Sequence, residues 1–176
     1  LSSAGRFDLF KQRLGIGECV ERTWESPFNY WEQGCFYLPQ MPPPANNTAV
    51  HTHNVIEKVW PLINAAGGRT FVLCTSLAAV RAAADELQAR LEANGNPYPL
   101  FVQGDGPKMR LIEEFRAHGN AVLVGSMSFW EGVDVKGEAL SLVVIDKIPF
   151  APPNDPVMMA RSRAVEASGR RPFDEI

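Results

Sequence analysis

At 176 residues the chain has the length of one full-sized domain and falls short of two. An apolar content of 45% excludes a disordered or fibrous segment, and a formal charge of −3 excludes a strongly basic module that coats nucleic acid through bulk electrostatics. No apolar run reaches the roughly 18–20 residues of a membrane-spanning helix. The opening residues lack the basic-then-apolar pattern of an export signal, and the missing initiator Met points to an excised piece of a longer protein. Cys19, Cys35 and Cys74 are widely spaced and odd in number, with neither zinc-ligand spacing nor a disulfide framework. They read as thiols in a reducing cytoplasm, and no metal site is expected in this chain.

Taken in chain order, the first helix is expected after the caps Ser2 and Ser3, with Phe7, Phe10 and Leu14 on one face and a stop at Gly15. Short apolar runs at residues 19–24 and 34–38 suggest two strands, and the proline-rich residues 39–44 an extended connector. A second helix spans about 47–66, where Pro61 should kink or split it. Residues 70–74 form the first core strand. Ser76 then caps a helix whose Leu77, Val80, Ala84, Leu87 and Leu91 recur at steps of three and four. A strand at 99–102, a helix opened by Pro107 with Leu111, Ile112 and Phe115 inside, and strands at 121–124 and 140–145 follow. Asp155-Pro156 opens a last helix that ends near Gly169.

Apolar runs of four to six residues are what strands buried on both faces look like, and their alternation with helices implies an α/β domain with a mainly parallel, helix-covered sheet. Ligands of such sheets bind beyond the carboxyl ends of the strands. There the sequence places Thr75-Ser76, Gln103-Gly104-Asp105-Gly106, residues 125–134 and Asp146-Lys147. Ser76 has a purely structural alternative as a helix cap, Gln103-Gly104 as a turn, and Lys147 as a solvated strand end. The 125–134 connector is harder to read as mere surface. It is expected to expose Phe129 and Trp130 between two glycines, so that an aromatic could stack on a base. Ser126 and Ser128 could donate to phosphate oxygens, while Glu131 and Asp134 could accept from ribose hydroxyls or orient a basic partner. No GxxxxGK[ST] phosphate loop, dinucleotide fingerprint or HExxH occurs. His51, His53 and His118 lie outside every strand end, and the first two read as solvated.

These strand-end motifs resemble the second RecA-like domain of the DinG/XPD-type iron-sulfur helicases of superfamily two, nearest the bacterial DinG or YoaA branch. Val72-Leu73-Cys74-Thr75-Ser76 is similar to motif IV and Gln103-Gly104 to the motif that follows it. Residues 126–134 resemble motif V, which reads Phe-x-Glu-Gly-x-Asp in the family, and Asp146-Lys147-Ile148-Pro149-Phe150 resembles its Lys-x-Pro-Phe segment. Ser26-Pro27-Phe28 is similar to a family turn, Leu1 to the end of motif III, and Phe173-Asp174-Glu175-Ile176 to the stretch shortly before motif VI.

The resemblance implies a RecA-like, P-loop-NTPase-like three-layer domain over residues 46–176. Residues 1–45 would form a segment connecting it to the first helicase domain. The parent would be a cytoplasmic, nucleoid-associated 5′-to-3′ DNA helicase of replication and repair. ATP and Mg2+ would be shared with that first domain, which would also carry a 4Fe–4S cluster, and the partners would be single-stranded DNA and a replication or repair protein, with no membrane. Thr75, Ser76, Gln103, Gly104, Ser126, Ser128, Phe129 and Lys147 would meet DNA; Glu131, Gly132 and Asp134 would face the nucleotide. With motif VI and the phosphate loop absent, no catalytic residue falls in this chain, and alone it should be inactive. Two other classes fit the same residues. One is an interaction module that docks a partner through Phe129, Trp130 and the 39–44 connector. The other is an α/β transferase that uses the rim for a small nucleotide-like substrate.

Overall fold

The computed structural model describes residues 6–42, 47–135, 137–149, 155–169 and 171. The chain divides into two compact units, Leu1–Pro39 and Gln40–Ile176. In the first, helix α1 (Asp8–Leu14) closes on Gly15 in the left-handed conformation expected of a C-cap glycine, and Lys11 pairs with Glu21 at 2.7 Å. Helix α2 (Tyr30–Gln33) is a single turn that the apolar spacing does not announce. The two strands expected at 19–24 and 34–38 do not form. Those residues have no regular structure and leave Val20, Trp24, Phe36 and Leu38 exposed. Apolar composition alone cannot make a strand, because its N–H and C=O groups need a neighbouring backbone to pair with. The expected caps Ser2 and Ser3 and the motif residue Leu1 lie outside the described residues, as do Pro43 and Pro44.

The second unit runs α3 (Thr48–Ala65), β1 (Thr70–Leu73), α4 (Leu77–Ala93), β2 (Leu100–Val102), α5 (Lys108–His118), β3 (Val122–Gly125), β4 (Leu142–Ile145) and α6 (Pro156–Ala167). The four strands form one sheet in the order β2-β3-β1-β4, and all three pairings are parallel. Successive side chains of β1 and β3 alternate between two cores. Val72, Val122 and Val124, with Val144 of β4, pack against α3 and α4 through Ile56, Ile63, Val80 and Leu87. Phe71 and Leu123 face the other way, onto Leu111, Ile112 and Phe115 of α5. The α/β reading with a helix-flanked parallel sheet is what the structure shows.

Three local expectations need correction. Helix α3 continues through Pro61 as one element, so the expected split does not occur. Pro61 and Glu57, whose carbonyl loses its usual partner, both lie on the exposed side, where water can satisfy that group. On α4 the buried face is Ala79, Val80, Ala83, Leu87 and Leu91, while Leu77 is 54% exposed and Ala84 half-buried. Ala79 and Ala83 take the places expected for Leu77 and Ala84, so the buried face is turned slightly from the one the spacing suggests. Lastly, only β1 and β3 are buried on both faces. β2 is half-buried, and Val143 and Ile145 of β4 are about half exposed because both strands lie at sheet edges.

The caps are local and legible. Asn47 accepts from the Ala49 N–H, Ser76 from the Ala79 N–H at 3.2 Å, and Asp155 from the Met158 N–H at 2.9 Å. Among the described residues no helix is long and apolar enough to cross a membrane. Phe115, fully buried against Phe71 with ring centroids 4.7 Å apart, should cost about 3–5 kcal/mol when cut to alanine. Leu77→Ala should change stability by less than about 0.5 kcal/mol. Urea unfolding of the two variants checks both the core assignment and the corrected face of α4.

Candidate functional site

Register fixes the geometry of the site. Leu73 of β1 stands opposite both Gly125 of β3 and Ile145 of β4, and Val102 of β2 opposite Val124. The four strands therefore finish within a residue of one another, and the segments that follow them all leave from one rim. Backbone bonds continue across that level. Cys74 N–H donates to Gly125 O at 2.8 Å, Gln103 N–H to Val124 O at 2.9 Å, and Asp146 N–H to Leu73 O at 3.1 Å.

The sequence-derived candidates separate into those left accessible and those already engaged. Ser76 and Ser128 are exposed, as are Gly104, Glu131, Gly132 and Asp134, while Thr75, Gln103, Ser126 and Lys147 are half-buried. Ser76 caps α4 with its hydroxyl oxygen, as the structural alternative for it requires. Gln103 is more than a turn residue: its Oε1 accepts the Ser126 N–H at 2.6 Å and so joins the loop after β2 to the loop after β3.

Phe129 contradicts the expectation of an exposed stacking ring. It is 3% exposed and belongs to the core on the α5 side of the sheet, and Trp130 is half-buried against the same cluster. Gly125 is the reason. A β-carbon at that position would lie 2.8 Å from the Phe129 ring, so only glycine leaves a seat for it at the end of β3. A one-turn 3-10 helix, Met127–Phe129, folds the ring back onto that seat. Docking a partner or a base through Phe129 is therefore ruled out in this conformation. Phe150, the end of the Lys-x-Pro-Phe segment, and residues 172–176 lie outside the described residues.

Two more residues matter here, one that the sequence reading passed over and one that it misjudged. Lys108, the first residue of α5, donates to the Ser128 carbonyl and, at 2.9 Å, to the Glu131 carbonyl, with its ammonium 5.5 Å from the centre of the Phe129 ring. A lysine at the first turn of a helix opposes the helix dipole, and that oddity was the available signal. His51 is buried instead of solvated. Its Nε2 lies 3.3 Å from the Asp146 carbonyl oxygen, a contact that requires the ring proton on Nε2. His53 is about half exposed, yet it stands 3.2 Å from Glu86 and 3.8 Å from Glu57.

Beneath the rim sits a small titratable group. Both carboxylate oxygens of Asp146 are shielded from solvent and make no well-formed hydrogen bond among the described residues, with only weak support from the Lys147 and Thr75 backbones. Burial raises the Asp146 pKa above the ordinary carboxylate range, although the backbone and charge of Lys147, the charge of His51 and the Thr75 backbone pull the other way. Cys74 beside it is pushed up to about 12, by burial first and by the negative Asp146 second. Among the described residues no three His, Cys, Asp or Glu side chains converge as a metal site.

Comparison with known proteins agrees with this architecture. A family described as the helicase C-terminal domain matches residues 59–176. The chain is 40% identical over 177 residues to the ATP-dependent DNA helicase YoaA of Haemophilus influenzae, covering all of this chain and 27% of that protein. It is 39% identical over 167 residues to the Escherichia coli protein of the same name, covering 95% of this chain and 25% of the relative. With the ATP-dependent helicase DinG of Mycobacterium tuberculosis it shares 37% identity over 178 residues, covering 98% and 26%. The chain thus spans about a quarter of the length of the curated relatives it matches.

Two measurements probe the buried group. On the native chain Cys19 and Cys35, both exposed, should react with a thiol reagent at pH 8, while Cys74 should react only after denaturation. A carboxyl whose folded pKa is raised stabilises the fold while protonated and loses that contribution as pH rises through its folded value. Asp146→Asn should therefore raise the melting temperature at pH 7 and leave it nearly unchanged near pH 3, as thermal scans at the two pH values would register.

Proposed function

The chain belongs to the helicase C-terminal domain family, and from that premise we propose that it supplies the second motor domain of an ATP-dependent DNA helicase. The parent works with 5′-to-3′ polarity on single-stranded DNA in bacterial replication and repair, in the cytoplasm at the nucleoid. The observation that carries this reading is the common level at which the four parallel strands end. That level gathers hydroxyl, amide and charged groups from separate loops along one wall, as a domain closing over a shared ligand needs.

In the proposed cycle ATP sits between this domain and a first motor domain of the same protein, and closure around it shifts the grip on the DNA strand. Thr75, Ser76, Gly104, Ser126, Ser128 and Lys147 meet the strand, mostly through its phosphates, which are the same in every sequence. Gln103 acts through Ser126, whose amide it holds. Glu131, Gly132 and Asp134 face the nucleotide. Carboxylates repel phosphates, so their task is to accept from ribose hydroxyls or to orient a basic group of the other domain. Gly132 turns the chain between them with φ of 67°, a left-handed conformation that a larger residue resists. The Mg2+ that accompanies the nucleotide and the 4Fe–4S cluster have no ligand set among the described residues. A 4Fe–4S cluster takes four cysteine thiolates and this chain has three, so we assign both groups to the first motor domain and no step here runs through them. A replication or repair protein completes the partners.

The test uses the full-length protein. Glu131→Ala and Asp134→Ala should each leave DNA-stimulated ATP hydrolysis measurable and reduce strand separation per ATP about tenfold. Parallel hydrolysis and unwinding assays check this. Undiminished unwinding in both variants would remove these residues from the nucleotide side.

A further inference from the structure

The ammonium of Lys108 is used entirely within the molecule. Both carbonyls it binds, those of Ser128 and Glu131, belong to the loop that follows β3, and they bracket Phe129 and Trp130. Phe129 is itself seated on Gly125 and lies under the Lys108 charge. At the start of the same loop, the Ser126 N–H is held by Gln103. The loop is thus held at three points, and the two polar ones come from a single stretch, the β2–α5 connection and the first turn of α5. A lysine at a helix N-terminus is disfavoured by the dipole, so carbonyl acceptors are what keep its charge there.

We infer that Lys108 is a positioning residue that locks the 126–134 loop onto α5, so that the groups on its nucleotide side and those on its strand side move as one body. The inference rests on the assignment of that loop under Proposed function. It adds a mechanical link: without the lock, closure over the nucleotide would move Glu131 and Gly132 without carrying Ser126 and Ser128 along. Lys108 touches neither ligand in this scheme and acts only through the backbone it binds.

Lys108→Met keeps the alkyl stem and removes the charge; Lys108→Arg keeps a cation that can reach two carbonyls. Both variants are made in the full-length protein and compared by hydrogen exchange at residues 127–134, by melting temperature, and by steady-state kinetics of DNA-stimulated ATP hydrolysis. Lys108→Met should speed exchange in the loop roughly tenfold while leaving the melting temperature in place. It should lower kcat about tenfold with a smaller change in KM for ATP, and Lys108→Arg should restore at least part of both. Unchanged loop exchange in Lys108→Met overturns the inference, as does a loss of activity that follows a lowered melting temperature and is not relieved by arginine. Faster exchange with undiminished hydrolysis upholds the lock and overturns instead the assignment of the loop to the nucleotide.

Discussion

Strand β1 is the member on which everything else is registered. Flanked by β3 on one side and β4 on the other, with the same four residues pairing in parallel to both, it fixes the height at which three chains leave the sheet. All four of its residues are buried, and an apolar run that begins with a buried threonine serves both cores at once. Sliding either neighbour by one residue would exchange its two faces and expel a valine or leucine from a core. The hydrophobic pattern that builds the domain is thus also what levels the rim, and the polar loops inherit their alignment from it.

Above that level, the architecture of the rim is determined less by the loops themselves than by what lies beneath and beside them. The aromatic pair in the 126–134 loop works as an anchor: Phe129 occupies space that Gly125 leaves open, and the exposed acidic residues are carried by backbone whose carbonyls are already claimed by Lys108. A connector tethered in this way loses less freedom when a ligand arrives than a loose one would. The rim also has a cost. The Asp146 carboxylate is shielded from solvent with only weak backbone support, and burial raises its pKa; Cys74 is raised by its own burial first and by the Asp146 charge second.

How much of this was readable beforehand differed by interaction range. Strands β1 and β3, the caps at Ser76 and Asp155, and the stop at Gly15 follow from neighbours a few residues apart, and the sequence carries them openly. The resemblance to DinG/XPD helicases named loops that leave the sheet at one level. Failure came where a partner was distant in sequence or where a loop folded back on its own strand end. Phe129 looked exposed because nothing in a linear string says that a glycine at a strand end will accept a ring. Residues 19–24 and 34–38 looked like strands because apolar content is local, whereas pairing is not. His51 contacts Asp146 across 95 positions, a separation that no periodicity reports. Lys108 was passed over because charged residues at helix starts are usually solvated.

The margin of the sheet at β4 has a bearing on how this domain behaves in solution. Its outer backbone has no neighbour among the described strands, and one of its faces presents Val143 and Ile145 about half uncovered. Such a border invites backbone-to-backbone association with any extended segment, including another copy of itself, and its brevity, four residues, is what restrains it. Handling the isolated unit at high concentration therefore risks oligomers joined along that border, and an added lysine at position 143 would be the least intrusive way to keep copies apart.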